Sequence, residues 1–248
     1  MEWSAEENTR SILNAVAHAA AEGAQLCVFP ELAVTGFHRQ IRAQATPALV
    51  QSRLRAIEQA CAAHSVAAAV GAPTFGDDGR VFNSCVFFSE SGDRVGAIEK
   101  NGLTPAEETF FTRGTARPAH DLLARRCTAI LCREIEDLHE VRAQLSGVTP
   151  EVIFWPGAMR PAVDGSESDP DAHVKKAQQL ALDTKAFIVQ ANWPNSLNYP
   201  EESTYAGQSV VISPAGEVLV RLPVAEAGVA VFMLGASTYD WFRQDALR

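Results

Sequence analysis

Little in this chain would tie it to nucleic acid, membranes or metals. Lys and Arg number 21 against 30 Asp and Glu, a formal net charge of -9, so the basic footprint of a nucleic-acid or anionic-membrane binder is missing. No apolar run approaches the roughly 18 residues that a spanning helix requires. The start, Met1-Glu-Trp-Ser-Ala-Glu-Glu7, is acidic where a secretion signal is basic. A cytoplasmic protein with neither a nucleic-acid nor a membrane partner is expected. Cysteine is sparse: Cys27, Cys61, Cys85, Cys127 and Cys132 are odd in number and contain no Cys-x-x-Cys pair, which fits reduced thiols better than a disulfide framework. His139-Glu140 opens like a zinc-protease helix but lacks the second histidine, so neither a metal nor another cofactor is expected. There is also no linker or low-complexity stretch, and residues 1–248 read as one domain.

What is present is an alternation of helical and extended patterns. Ser4 followed by Glu7 forms a capping-box signature, after which Ile12, Leu13 and Val16 recur at helical spacing up to Gly23. Gln25–Phe29 predicts a buried strand ending at Pro30, and Thr46-Pro47 starts a second helix with Leu49, Val50, Leu54, Ile57 and Cys61 on one face. Strands are predicted at Val66–Ala72, Val81–Ser89 and Arg94–Glu99, separated by Asp-Asp-Gly and Ser-Gly-Asp turns. Another runs from Cys127 to Leu131. The second half repeats the rhythm with a helix after Glu136, a strand at Val152–Trp155, a helix from about Pro170 to Lys185 and a strand at Phe187–Ala191. Gln208–Ser213, Val218–Leu222 and Gly228–Leu234 then predict a three-stranded meander ahead of a short tail. Two β-α-β-α-β-β halves make an α/β protein.

Three chemically capable residues stand at the ends of separate apolar strands: Glu31, Lys100 and Cys132. A rigid sheet can bring such positions to one pocket. Singly, each has a bland reading, since free cysteine is usually core and a charged strand end is usually solvated. Together they resemble a known pattern. Phe29-Pro-Glu-Leu-Ala-Val-Thr-Gly-Phe37, the loop from Lys100 through Glu107, Glu108 and Phe110-Phe111 to Gly114, and Ala129-Ile-Leu-Cys-Arg-Glu134 match, in order and spacing, three segments of the nitrilase-like carbon-nitrogen hydrolases. The resemblance continues through Ile153-Phe-Trp-Pro156, Phe187-Ile-Val-Gln-Ala-Asn192 and Gly207–Gly216, and so covers nearly the whole chain.

That resemblance implies a four-layer α-β-β-α sandwich, a Glu-Lys-Cys triad of Glu31, Lys100 and Cys132, and a homodimer. It also implies a second glutamate on the lysine loop. Counting back from Gly114 selects Glu107, while counting forward from Lys100 selects Glu108; Glu107 is preferred, leaving Glu108 as an exposed carboxylate or a substrate contact. Arg133 is a candidate for binding a substrate carboxylate or, equally, for an ion pair with a nearby acid. Cys132-Arg-Glu differs from the Trp-Glu that follows the cysteine in nitrilases and from the aromatic-acid pair of many small-amide hydrolases. Family chains begin with a strand before the first helix, whereas this sequence starts almost at that helix, so a core strand is expected to be lacking. The chemistry is self-consistent: a thiol activated by a base attacks a carboxamide, and Lys100 with the Arg133 backbone N–H holds the oxyanion. The expected activity is hydrolysis of a small carboxamide through a Cys132 thioester, releasing ammonia. The alternatives are N-carbamoyl amine hydrolysis or a catalytically silent small-molecule binder on the same scaffold.

Overall fold

The computed structural model describes residues 1–159, 171–200 and 207–247. Helix α1 (Ala5–Ala21) starts where Ser4 Oγ accepts a hydrogen bond from Glu7 N at 3.4 Å, half of the expected capping box. It buries Ile12, Val16 and Ala19 at helical spacing. Strand β1 (Leu26–Val28), a short α2 (Ile41–Gln44) and α3 (Pro47–His64) follow, and α3 buries the predicted face of Val50, Leu54, Ile57 and Cys61. Next come β2 (Ala67–Phe75), β3 (Val81–Phe88) and β4 (Arg94–Glu99), then β5 (His120–Leu122) and β6 (Arg125–Ala129). The remaining elements are α4 (Leu138–Gln144), β7 (Val152–Gly157), α5 (Ala172–Thr184), β8 (Phe187–Asn192), β9 (Val210–Ile212), β10 (Val218–Arg221), β11 (Gly228–Val231) and β12 (Asp240–Arg243). The expected start of the α5 segment at Pro170 lies outside the described residues.

The two main sheets have strand orders β1-β2-β3-β4 and β10-β9-β8-β7-β6-β5. Alternate residues of each strand face different layers, as a period of two requires. In β2, Ala68, Val70 and Ala72 pack toward α1 and α3, while Ala67 and Ala69 face the other sheet. In β7, Val152 and Phe154 join that same inter-sheet core, while Ile153 and Trp155 pack toward α4 and α5. Three apolar layers therefore separate four structural ones, giving the α-β-β-α sandwich. Phe87 and Phe154 meet edge-to-face across its middle, with ring centroids 5.8 Å apart, and each such fully buried side chain contributes about 1.5–3 kcal/mol. Burial on both faces is why these strands read as continuous apolar runs.

Two expectations need correction. The carboxyl-terminal segments do not form a three-stranded meander: β9 and β10 pair, but β11 leaves the sheet and pairs antiparallel with β12, in what had read as a tail. Strand β5, antiparallel to β6, had read as irregular. In the first sheet β1 is an edge strand, whereas in the second β7 has a neighbour on each side.

Candidate active site

Each of the three sequence-predicted residues follows a strand into a tightly held bend. Beyond β1, Leu32 adopts φ +50° just after Glu31. The bend lies so close to β2 that a Cβ on Gly71 would sit 2.1 Å from the Pro30 carbonyl oxygen and 2.4 Å from Leu32 N, so only glycine fits. Lys100 follows β4; its N–H donates to Asn83 O at 2.7 Å and its carbonyl accepts from Gly114 N at 2.9 Å, closing the loop between them. Cys132 opens a 3-10 turn (Cys132–Glu136) after β6 with φ +51°, unusual for a residue carrying a side chain. Its carbonyl is pinned by the indole of Trp155, Nε1 to O 2.9 Å. Strain of this kind persists only where the surroundings over-determine it.

The bends converge. Lys100 Nζ bridges two carboxylates, 2.6 Å from Glu31 Oε1 and 2.6 Å from Glu107 Oε1. Asn83 Nδ2 also donates to Glu31 Oε1 at 2.8 Å, and Trp193 Nε1 donates to the Glu31 carbonyl at 2.7 Å. Glu107 is anchored by Thr104 N to its Oε2 at 2.8 Å. Glu31 Oε2 is buried without a well-formed hydrogen bond, and the Cys132 thiol is close enough to exchange hydrogen-bond and charge interactions with this carboxyl. Cys132 Sγ also lies 3.5 Å from Met159 Sδ.

Glu31 and Lys100 are 0% and 1% exposed, so their charges act through a poorly screened interior. Burial, reinforced by Glu107, raises the Glu31 pKa above the ordinary carboxylate value although Lys100 opposes it. Burial alone would lower Lys100, but Glu31, Cys132 and Glu107 overcome it and hold the ammonium charged. Burial and the Glu31 charge push the Cys132 thiol up, with Lys100 working against them. Burial thus favours the neutral Cys132 thiol, while Lys100 is the neighbour that favours the ionised form of the Glu31 carboxylate.

A second buried charge pair lies beneath the nucleophile. Glu134 Oε2 accepts from Leu131 N at 2.6 Å, and its Oε1 accepts from Asn101 N at 2.6 Å and Gly102 N at 3.0 Å. Arg117 lies 2.9 Å from that same Oε1. The Arg117 guanidinium also donates to the Ala129 carbonyl and, at 3.1 and 2.9 Å, to Gln144 Oε1. One carboxylate thus ties the residue before Cys132 to the residue after Lys100. Burial works to raise Glu134, but Arg117 and these backbone N–H groups outweigh it and hold its pKa below the ordinary value.

The remaining candidates are not brought to the cluster. Glu108 turns outward onto Arg113 at 2.7 Å, and Arg133 pairs with Glu136 at 3.1 Å, both side chains being substantially exposed. Between the two loop glutamates, the geometry selects Glu107. Phe111 packs with Leu32 and Leu103, and Phe110 lies under Arg42, so these rings are packing elements. Among the described residues, no group of three or more His, Cys, Asp and Glu could hold a metal ion, and no helix is long and apolar enough to cross a membrane.

Residues 1–242 match the family described as carbon-nitrogen hydrolase. The chain belongs to the carbon-nitrogen hydrolase family. Among solved structures, it is similar to the amidase of Nesterenkonia sp. AN1, of the nitrilase superfamily. One form, with acrylamide added to the active-site cysteine, has a TM-score of 0.75 at 22% identity, covering 90% of this chain and 85% of that one. A variant in complex with butyramide has a TM-score of 0.75 at 23% identity, covering 90% and 83%. At such identities the likeness is one of fold. A curated relative, the glutamine-dependent NAD(+) synthetase of Acinetobacter baylyi, is 21% identical over 222 residues, which is 88% of this chain but only 39% of that protein's length.

Arg117, which reaches this cluster through Glu134, escaped the reading of the sequence. It lies in an irregular stretch without periodicity, while Trp155 and Trp193 reach the cluster through their indole N–H groups. For Glu134 a signal existed: a carboxylate set among Ile130, Leu131 and Ile135 must find a buried partner.

Proposed function

We propose that this protein hydrolyses the C–N bond of a small carboxamide, with Cys132 as nucleophile, Glu31 as proton carrier, Lys100 as oxyanion stabiliser and Glu107 holding Lys100 in place. The observation that carries this reading is the buried bridge of Lys100 Nζ between Glu31 and Glu107, 2.6 Å from each, beside the Cys132 thiol. Because the thiol's pKa is raised, its proton passes to Glu31 as Sγ attacks the carbonyl carbon, rather than beforehand. The carbonyl oxygen becomes an oxyanion, for which Lys100 Nζ and the Arg133 backbone N–H are donors. Collapse breaks the C–N bond, and Glu31 returns its proton to the departing amine. Water then adds to the thioester with Glu31 as base, releasing the carboxylic acid and the Cys132 thiol. Overall, amide and water become acid and ammonia.

The solved amidases support the substrate class, since one holds butyramide and another carries acrylamide at its active-site cysteine. A cytoplasmic homodimer is the working assembly that this proposal assumes. The test is ammonia release across ω-amides, aliphatic amides, N-carbamoyl amines and nitriles. Turnover confined to carboxamides is expected. Carbon dioxide release from N-carbamoyl amines alone would replace this reading with carbamoyl hydrolysis, and no turnover of any class would favour a silent binder.

A further inference from the structure

Asn192 ends β8 and takes no part in the chemistry described above, yet its buried carboxamide is fully engaged with backbone on two other segments. Oδ1 accepts from Met159 N at 2.7 Å, while Nδ2 donates to Met159 O at 3.0 Å and to Gly207 O at 2.8 Å. The contacts fix which way the amide points, because turned over it would set its NH2 against an N–H and its oxygen against two carbonyls. The backbone of Asn192 is held as well, since its N–H donates to Ser209 Oγ at 2.9 Å. Gly157, its partner on β7, makes room for the amide: a Cβ there would lie 2.9 Å from Asn192 Oδ1.

What this clamp holds is the piece of chain lying against the nucleophile. Met159 Sδ is 3.5 Å from Cys132 Sγ, and the backbone N–H of Ala158 bonds to the same sulfur, favouring its thiolate form. The ladder between β7 and β8 ends at Gly157 and Asn192, so the placement of Ala158 and Met159 depends on side-chain bonds such as these. The next residue, Trp193, donates its indole N–H to the Glu31 carbonyl at 2.7 Å. The end of β8 thus braces the thiol and the carboxyl beside it from one place.

We propose that Asn192 is a positioning residue for the nucleophile, its carboxamide holding the Ala158–Met159 segment so that the Ala158 N–H stays on the Cys132 sulfur. This deepens the amidase reading and rests on Cys132 being the nucleophile. A fixed donor on sulfur stabilises negative charge there. It therefore acts when Sγ gives its proton to Glu31 and bonds to the carbonyl carbon. It acts again when the bond between sulfur and the acyl carbon breaks and Glu31 returns a proton to the departing thiolate. Asn192 works through Ala158 and Met159, not on the substrate.

Alkylation by iodoacetamide, mapped to Cys132 by peptide mass, reads the thiol without any turnover; Cys132 is partly exposed while the other four cysteines are buried. Asn192→Ala should slow it about three- to tenfold at mildly alkaline pH, because losing the donor raises the thiol pKa by roughly one unit and thins the thiolate. On a responsive carboxamide, kcat should fall by a similar factor with KM unchanged, since sulfur carries charge only after substrate is bound. Ser209→Ala loosens the Asn192 backbone but spares its carboxamide bonds, so it should lower the melting temperature and leave alkylation unchanged. If Asn192→Ala does not fold by circular dichroism, Asn192→Ser, too short to reach Met159, carries the same expectation. Alkylation of a folded Asn192 variant at the wild-type rate would overturn the proposal. So would an equal loss in Ser209→Ala, which would make Asn192 a general packing residue. Slowed alkylation in Asn192→Ala, with no amide turned over by the wild type, would sink the amidase reading and uphold the clamp.

Discussion

Two buried ion clusters sit a few residues apart in this molecule, built from the same kinds of side chain and left in opposite conditions. Around Glu134 both carboxylate oxygens are occupied, by three backbone N–H groups and Arg117, and the pKa is held down. Around Glu31 one oxygen takes bonds from Lys100 and Asn83 while the other is buried and unsatisfied, and the pKa is driven up. Burial is near complete in both, so burial does not distinguish them. Satisfaction does. A carboxylate with both oxygens held is a fixed part of the frame, whereas one with a free oxygen beside a thiol retains a place for a proton. The first holds the loops, and in the proposed mechanism the second works between them.

The largest effect expected from breaking this contrast is on turnover. Glu31→Gln keeps the shape of the side chain but cannot accept the thiol proton, so kcat should fall by about 10⁴-fold with the circular dichroism spectrum unchanged; steady-state kinetics on a responsive amide measures it. Arg117→Ala should act the other way round. Leaving Glu134 buried without its cation should cost about 3–5 kcal/mol of stability, read as a lowered denaturation midpoint in urea.

The opposite pKa directions sharpen the comparison. Glu31 must be ionised to act, and its pKa is raised above 4.5, so kcat/KM should decline as pH falls toward and through that raised value. Glu134, depressed below 4.5, contributes stability that is fully present above the unfolded value and lost only as pH falls through its folded one. Activity should therefore disappear at a higher pH than the fold, and reversibly. A pH–rate profile laid over an acid-unfolding curve checks this, and coincident curves would contradict it. The smallest effect should come from Arg133→Ala: its pair with Glu136 is exposed, so stability should change by no more than about 0.5 kcal/mol and KM for an uncharged amide should stay the same.

The contrast also shows what the sequence made legible. Glu31, Lys100 and Cys132 could be found because each stands at the end of an extended run that its apolar residues mark as a strand, and such runs stand out without knowledge of pairing. Spacing pulled two ways, to Glu107 from Gly114 and to Glu108 from Lys100, and it is the 3-10 turn Glu107–Thr109 that sets Glu107 toward Lys100 and Glu108 toward Arg113. Arg117 could not be found, because its pairing with Glu134 is a tertiary contact with no local pattern. For the same reason β11 was misassigned: its apolar alternation marks a strand, but whether that strand joins β10 or β12 depends on a turn whose direction the residues do not reveal. The left-handed backbone at Leu32 and Cys132 was hidden too, since neither position carries the glycine that announces such a bend.

The central claim is that Cys132 forms a covalent acyl intermediate within the Glu31–Lys100–Glu107 cluster. Intact-mass spectrometry of the protein quenched in acid during turnover of a small carboxamide tests it directly. The account predicts a population heavier by the acyl group, mapped to the peptide containing Cys132 and absent from a folded Cys132→Ala protein that releases no ammonia. Ammonia release by Cys132→Ala at the wild-type rate, or an adduct on Cys27, Cys61, Cys85 or Cys127 instead, would contradict it.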